Sequence, residues 1–140
     1  MQYPVKIVRD GDAYCVTSRD LDQVNSVGYS LEEALHEAAD GIETALMIFY
    51  MDGKQAIPLP SKKEEGEYLV DLPAQVAAKV ALYNEMINQK VTRAELGRRL
   101  HWKQAQVNRL WELDHSTKLE ALEAAFHAVG KKIELNIVAA

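Results

Sequence analysis

The sequence predicts an α+β fold, in which an N-terminal β-β-β-α-β unit precedes an all-helical helix-turn-helix unit with a short C-terminal strand. Three observations support this prediction. Apolar residues alternate at the N-terminus with the period of a half-buried strand. A capped amphipathic helix follows, and after Pro73 the pattern becomes helical, with two short helices between Thr92 and Leu113. We therefore expect two domains, residues 1–72 and 73–140.

The first domain is predicted to contain four strands. Residues 2–18 are typical of a β-hairpin, because two strand-like segments flank the turn sequence Asp10-Gly11-Asp12. A weaker pattern predicts a third strand near residues 25–28. The segment Glu67–Leu72 predicts the fourth strand, after a proline-containing connection over residues 56–66.

A long helix is predicted between the third and fourth strands, over about Leu31–Met51 and ending at Asp52-Gly53. Ser30 and Glu33 form a capping box at its start. The apolar face predicted to cover the sheet comprises Leu31, Leu35, Ala38, Ile42, Ala45 and Phe49. Acids on the other face have two possible roles: a solvated surface, which is the more frequent one, or contacts to a basic partner. The candidate contacts are Glu32, Glu37, Asp40 and Glu43.

The second domain is predicted to contain helices at about 73–90, 92–100, 103–113 and 117–129. Alternation of Ile133, Leu135 and Ile137 predicts a final strand over Lys131–Val138. An isolated strand must pair with something, and two partners are open: the same strand of a second protomer, or an edge of the first sheet.

The second and third of these helices predict a helix-turn-helix, whose second helix enters the DNA major groove. Thr92 and Glu95 form another capping box, and the inward positions are Leu96, Leu100, Val107, Leu110 and Trp111. The residues predicted to contact base edges are Gln104, Gln106, Asn108 and Arg109, because amides pair with adenine and guanidinium groups with guanine. The residues predicted to neutralise phosphates are Arg93, Arg99 and Lys103.

Charge is unevenly distributed along the chain, whose net charge is -5. Residues 1–72 hold 6 basic and 14 acidic residues, whereas residues 73–140 hold 10 basic and 7 acidic residues. Six basic residues and one acid lie between Lys90 and Arg109. This concentration fits contact with phosphates, although helical surfaces are also rich in Lys and Arg for solubility alone.

Other function classes are disfavoured by the sequence. Asp10, Asp12, Asp20 and Asp22 are of the type that binds Mg²⁺, but their spacing does not focus them on one point, so we expect no catalysis. The four histidines and Cys15 lack zinc-site spacing, and no cofactor is expected. With neither a signal peptide nor a membrane span, and with a lone cysteine, we expect a cytoplasmic protein without a membrane partner.

The helical half resembles the helix-turn-helix domains of the Cro/repressor family. The shared pattern is Thr92-x-x-Glu95-Leu96-Gly97-Arg98-Arg99-Leu100, then Gln104-x-x-Val107-x-Arg109-Leu110, then Thr117-Lys118-Leu119 and Ala124-x-x-x-Ala128-x-Gly130. Two positions depart from it: His101 stands where Gly is usual in the turn, and Gly97 where Ala is commoner. If His101 has a positive φ, the turn is strained but tolerable for this residue type.

The front half resembles the HicB antitoxin family. The likeness lies in the opening Tyr3-Pro4-Val5, in the helix end and connection FYMDGKQAIPLP of residues 49–60, and in Val70-Asp71-Leu72-Pro73. The order of the two halves also matches the HicB form that carries a repressor-type DNA-binding domain. The resemblance covers essentially the whole chain.

This resemblance implies a bacterial type II antitoxin that binds and inhibits a HicA-type toxin, a basic ribonuclease that cleaves mRNA. It also implies repression of its own operon by binding double-stranded operator DNA, a homodimer or higher oligomer, localisation to the nucleoid when DNA-bound, and a partial ribonuclease H-like first domain. The alternative is a stand-alone repressor whose N-terminal domain senses a small ligand. No glycine-rich phosphate loop or polar cluster in the sequence indicates a pocket for one.

Overall fold

A four-stranded antiparallel sheet forms the N-terminal part of the computed structural model, which describes residues 1–140. The sheet has the order β3-β2-β1-β4. Its strands are β1 (Gln2–Asp10), β2 (Ala13–Thr17), β3 (Asn25–Gly28) and β4 (Tyr68–Asp71). The predicted hairpin is confirmed, with Asp10 opposite Ala13 and Gly11 at a φ of 58° in the turn. The fourth strand is confirmed too, but it is one residue shorter at each end than predicted.

One helix, α1 (Leu31–Ala45), covers the sheet and continues into a π-helical turn, Leu46–Met51. The Ser30 hydroxyl caps α1 by accepting from the Glu33 amide at 3.0 Å. The predicted extent is therefore confirmed, but the last six residues use the wider hydrogen-bond spacing.

The predicted apolar face of this helix is wrong at its two ends. Leu31 is 37% exposed and Phe49 is 49% exposed. At the first end Ala34, a residue smaller than Leu31, makes the contact with the sheet, next to Gly28. At the other end the π-helical turn changes the angle between successive side chains, so that Leu46 and its neighbours Tyr50 and Met51 take the buried side instead of Phe49.

Two glycines let α1 approach the sheet closely. A Cβ on Gly28 would lie 2.6 Å from the Cα of Ala34, closer than two carbon atoms pack. A Cβ on Gly41 would lie 2.5 Å from the hydroxyl oxygen of Ser26. The mid-helix glycine therefore has a packing reason that offsets its cost to the helix, about 1 kcal/mol relative to alanine.

Four helices form the rest of the chain. They are α2 (Ala74–Gln89), α3 (Arg93–Leu100), α4 (Gln104–Asn108) and α5 (Leu119–Ala128), and a 3-10 turn (Arg109–Trp111) follows α4. All four predicted helices are present. The third is shorter than predicted, since it tightens at Arg109 and ends at Trp111 rather than at Leu113.

The predicted C-terminal strand is absent. Residues 131–140 form neither strand nor helix, and Leu135, Ile137 and Val138 are between 72% and 87% exposed. A strand needs a neighbour for its backbone hydrogen bonds, and within the protomer this segment pairs with neither edge strand of the sheet, β3 or β4.

The buried apolar side chains form one cluster of 29 residues that extends through both parts of the chain. Helix α2 is the link between the parts. The Tyr83 hydroxyl lies within hydrogen-bond distance of the carbonyl oxygens of Tyr50 and Gln55, and the Asn84 amide bonds both the N–H and the C=O of Ile57. None of the helices has the length and apolar character needed to cross a membrane.

Candidate functional site

The corner between α3 and α4 is fixed by caps at both ends of α3. The Thr92 hydroxyl accepts from the Glu95 amide at 3.1 Å. At the other end His101 adopts a left-handed conformation with φ 56°, and the Trp102 amide donates to the Gly97 carbonyl at 3.0 Å. The residue that departs from the family pattern therefore does sit in the strained position, which histidine tolerates better than most side chains.

The inner side of this corner is packed as predicted. Leu96, Val107, Leu110 and Trp111 are buried, and Leu100 is half-buried against them. Gly97 lies at the close crossing of the two helices, where a Cβ would stand 3.3 Å from Val107 Cγ2, so a larger residue would require that side chain to shift slightly.

The two tryptophans belong to the packing of this corner. Trp111 stands edge-on to Tyr83, with ring centroids 6.2 Å apart. Its burial removes it from any role in stacking on bases. Trp102, at the turn, is half-buried and packs against the core.

A buried lysine that the sequence patterns did not reveal holds the segment that follows α4. Lys79 of α2 is fully buried, and its Nζ donates to the carbonyl oxygens of Glu112 and His115 at 2.7 Å and of Arg109 at 3.1 Å. Burial lowers its pKa, and the carboxylates of Glu112 and Asp114 act in the opposite direction. The one sequence signal was a lysine inside the apolar stripe of α2.

The four predicted base-contacting residues lie on α4 and on the first residue of the 3-10 turn that follows it. Gln104, Gln106 and Arg109 are exposed and Asn108 is half-buried. All three side-chain amides already have partners: Gln104 Nε2 donates to Asn108 Oδ1 at 3.1 Å, and Gln106 Oε1 accepts from the Lys103 amide at 3.0 Å. The Gln106 side chain therefore caps the start of α4 while its NH₂ group stays free for other acceptors.

The three predicted phosphate contacts have different surroundings. Arg93 holds its guanidinium 4.9 Å from the centre of the Trp111 ring. Arg99 donates to Glu95 at 3.2 Å and to the Ala128 carbonyl at 2.9 Å. Lys103 is exposed and forms no ion pair.

Glu95 balances part of the positive charge on α3. It accepts hydrogen bonds from Arg98 and Arg99, which lower the pKa of its carboxyl group. The charge of Arg99 is thus partly balanced by Glu95 within the protein, whereas Lys103 has no ion-pair partner.

The predicted acidic face lies on the outer side of α1. Glu32, Glu37 and Asp40 are exposed, whereas Glu43 is half-buried. Burial raises the pKa of Glu43, with smaller contributions from the carboxylates of Asp40 and Asp114. A groove of about 540 Å³ runs between β3 and α1, and its lining includes Val27, Glu37, Asp40 and Phe49.

The aspartates considered for metal binding have other partners or stand apart. Asp20 accepts from the backbone amide of Ser61 at 2.9 Å and from its hydroxyl. Asp10 and Asp12 flank the turn glycine between β1 and β2. No group of three His, Cys, Asp or Glu residues comes together in a way that could hold a metal ion.

Comparison with known proteins identifies the family. Residues 2–81 match the model of the HicB-like antitoxin of bacterial toxin-antitoxin systems. The chain is 39% identical over 135 residues to Antitoxin HicB 2 of Photorhabdus laumondii subsp. laumondii, covering 96% of this chain and 95% of that protein. It is 33% identical over 139 residues to Antitoxin HicB of Escherichia coli K12, covering 99% and 100%. It is 35% identical over 140 residues to Antitoxin HicB of Pseudomonas fluorescens Pf0-1, covering 99% and 95%. The chain therefore belongs to the HicB-like family of bacterial antitoxins.

Proposed function

We propose that this protein binds and inhibits a HicA-type ribonuclease toxin and represses its own operon by binding double-stranded operator DNA. In this proposal residues 1–72 are the toxin-neutralising domain, and residues 73–140 are a Cro-like helix-turn-helix domain that binds DNA and dimerises. The protein acts in the cytoplasm, without catalysis. The antitoxin names of its relatives favour this over a stand-alone ligand-sensing repressor.

The observation that carries the DNA-binding part is the position of α4. The caps on α3 and the Lys79 hydrogen bonds hold this helix between its neighbours, while Gln104 and Gln106 on it and Arg109 directly after it stay exposed. Base reading needs side chains of this type on a helix whose orientation is fixed. Arg93 and Lys103 would contact phosphates directly. Arg99 would first have to break its hydrogen bond to Glu95.

Dimerisation is supported by the exposed C-terminal segment, residues 131–140. Leu135 and Ile137 alternate with polar residues and lack any cover in the protomer. Pairing of this segment with its copy in a second protomer would satisfy its backbone and bury these side chains. Two α4 helices related by a two-fold axis would then meet a palindromic operator, with half-sites about 34 Å apart or a multiple of that distance.

Toxin neutralisation is supported by the acidic face of α1 and the groove beside it. Glu37 and Asp40 are exposed carboxylates at the groove, and Phe49 offers an apolar contact next to them. Glu32 and Glu43 extend the negative surface along the helix. A basic ribonuclease would be attracted to this face, since complementary charge speeds association and selects partners.

Gel shifts test the DNA-binding part. The full chain should bind the promoter of its own operon more tightly than a scrambled duplex of equal length, by about a thousandfold or more at physiological salt. Equal affinity for the two duplexes would contradict operator recognition.

Co-expression with the neighbouring toxin gene tests neutralisation. We expect the double variant Glu37→Gln/Asp40→Asn to rescue growth less well and to lose toxin in a pull-down. The control, Asp12→Asn/Glu65→Gln, removes the same charge from exposed acids outside α1 and should rescue like the wild type. Full rescue by both variants would remove the acidic face from the toxin interface.

A further inference from the structure

A large cleft lies where the end of the N-terminal helix meets α2, α3 and α4. Its volume is about 920 Å³, within the range of sites that hold small organic ligands. The floor is apolar: Ile87 and Val91 are half-buried in it, and core residues that are at most 7% exposed complete it, namely Met51, Tyr83, Met86 and Trp111. The Tyr83 hydroxyl is already bonded to backbone carbonyls, so the floor offers apolar contact and little else.

The rim of the cleft is positively charged. Lys54, Lys90 and Arg93 line it, against one acid, Asp52. None of the three cations takes part in an ion pair within the protein. Arg93 lies over the face of Trp111, so it joins the charged rim to the aromatic floor.

Backbone geometry places both lysines at this rim. Lys54 follows the π-helical turn with φ 55°, and Lys90 ends α2 with φ 59°. Glycine and asparagine are the common residues in the left-handed region, because glycine lacks a Cβ and the short asparagine side chain can bond the local backbone. Lysine has neither property and is uncommon there. Both positions thus carry a cation where the backbone favours another residue.

The first turn of α3 adds polar donors to the same rim. Thr92, Arg93 and Ala94 line the cleft, and the Thr92 cap serves the Glu95 amide. The amides of Arg93 and Ala94 have no acceptor within the helix, because the first turn of any helix lacks one. This supports an anionic group at the rim, next to the three cations.

We propose that this cleft binds a small organic anion whose apolar body lies on the floor and whose carboxylate or phosphate lies between Lys54, Lys90 and Arg93. Gln104, the first residue of α4, also lines the cleft, so a bound molecule sits beside the helix that we propose reads DNA. A ligand there would change operator affinity, a consequence that rests on the proposed function. Binding itself does not depend on it.

Fluorescence titration of the full chain without DNA tests the binding. Three probes separate the contributions: anilinonaphthalene sulfonate (aromatic anion), phenylnaphthylamine (its neutral counterpart) and inorganic sulfate (an anion without an apolar body). We expect saturable one-to-one binding of the aromatic anion, about tenfold tighter than the neutral probe and not displaced by millimolar sulfate. Absence of saturable binding, or equal affinity for both aromatic probes, would overturn the proposal.

Charge variants locate the bound probe. Lys54→Asn/Lys90→Asn removes both lysines and keeps a residue that tolerates the left-handed backbone. The double variant should lower the affinity for the aromatic anion about tenfold and leave the affinity for the neutral probe unchanged. The control Lys62→Asn/Lys63→Asn removes the same charge from an exposed connection outside the cleft and should change neither. Equal weakening in both double variants would assign the effect to net charge and refute the site.

Discussion

The two helices that carry the candidate surfaces, α1 and α4, are held in place by different means. Helix α1 has 15 residues and lies on the sheet through Ala34 and Ala38, with Gly28 beneath it and no side-chain hydrogen bond to the strands except one from Ser26. Helix α4 has five residues, too few for a helix to persist alone. Its own Gln106 side chain caps its start, and Lys79 of α2 bonds the segment that follows it.

This difference has a consequence for function. Because packing and one serine hydrogen bond hold α1 on the sheet, its exposed acids take no part in holding it, and Asp40 pairs only with His36 of the same helix. On α4 some of the candidate contact groups also support the helix, as the Gln106 carbonyl oxygen does. The orientation of α4 therefore depends on residues elsewhere, above all on Lys79.

Removal of the buried lysine should have the largest effect on stability. Lys79→Met keeps the length of the side chain but removes the hydrogen bonds from its ammonium group to the carbonyl groups of Arg109, Glu112 and His115. Each carbonyl keeps one other donor, from a backbone amide or from the side chain of Gln75. We expect the free energy of unfolding to fall by about 3 kcal/mol, because hydrogen bonds to a charged group contribute about 1.5–3 kcal/mol each and the removal of a buried charge offsets part of their loss. Urea unfolding followed by circular dichroism measures it.

The matched control is Lys118→Met, which removes an exposed lysine and should change the free energy of unfolding by less than about 0.5 kcal/mol. Apolar replacement of buried charges is sometimes neutral when the partners are replaced as well. Here the carbonyl groups remain, so a Lys79→Met protein as stable as the wild type would show that α4 does not depend on this contact.

The packing that holds α1 on the sheet is tested at Gly28. In Gly28→Ala the new Cβ meets the backbone of Ala34, which cannot rotate away, so α1 must shift from the sheet. We expect a loss of about 2 kcal/mol, typical of overpacking, as a lower urea midpoint with an unchanged slope. In Gly41→Ala the obstacle is the Ser26 hydroxyl, which can rotate, and the gain in helix propensity offsets part of the cost. Equal losses would mean that the close approach at Gly28 is not the decisive contact.

Sequence patterns predicted those parts of the fold whose causes are local. The hairpin turn at Gly11 and the Ser30 and Thr92 caps all follow from interactions within a few residues. The inward set of the α3–α4 corner followed from helical spacing. These elements were predicted because the information that specifies them lies beside them in the chain.

Features that depend on distant contacts could not be predicted in this way. The π-helical turn shifts the apolar face of the helix, so Phe49 was assigned to the wrong side. The three bonds of Lys79 connect positions 30 to 36 residues apart. The C-terminal strand was predicted from its alternation alone, but a strand exists only where a partner strand is present.

The α4 surface itself gives the next prediction. Arg109→Ala should weaken operator binding by about 1–3 kcal/mol and relax specificity at one base pair, because a bidentate contact to guanine is lost. Lys103→Ala should weaken all sequences alike and reduce the salt slope by about one unit. Titrations of operator and random DNA at several salt concentrations separate the two. Equal losses on both duplexes for both variants would contradict the assignment of their roles.

The smallest expected effect lies at Glu43, where α1 meets the loop that follows α4. Burial and the carboxylates of Asp40 and Asp114 raise the pKa of Glu43 in the folded state. The native protein therefore holds this proton more tightly than the unfolded chain does. As the pH rises through and above the ordinary carboxyl range, the native state must carry a disfavoured charge and loses stability relative to a neutral side chain.

Glu43→Gln should consequently be more stable than the wild type at pH 7, and the difference should vanish near pH 4, where the carboxyl group is protonated in both states. Solvent screening limits the gain to a few tenths of a kcal/mol, because Glu43 is only half-buried. Melting temperatures at pH 4, 5.5 and 7 measure it, with the exposed Glu32→Gln as control for the change of residue type. A gain in stability that persists at pH 4 would assign the effect to packing. The absence of a gain at pH 7 would mean that the charge of Glu43 does not destabilise the contact between α1 and the loop after α4.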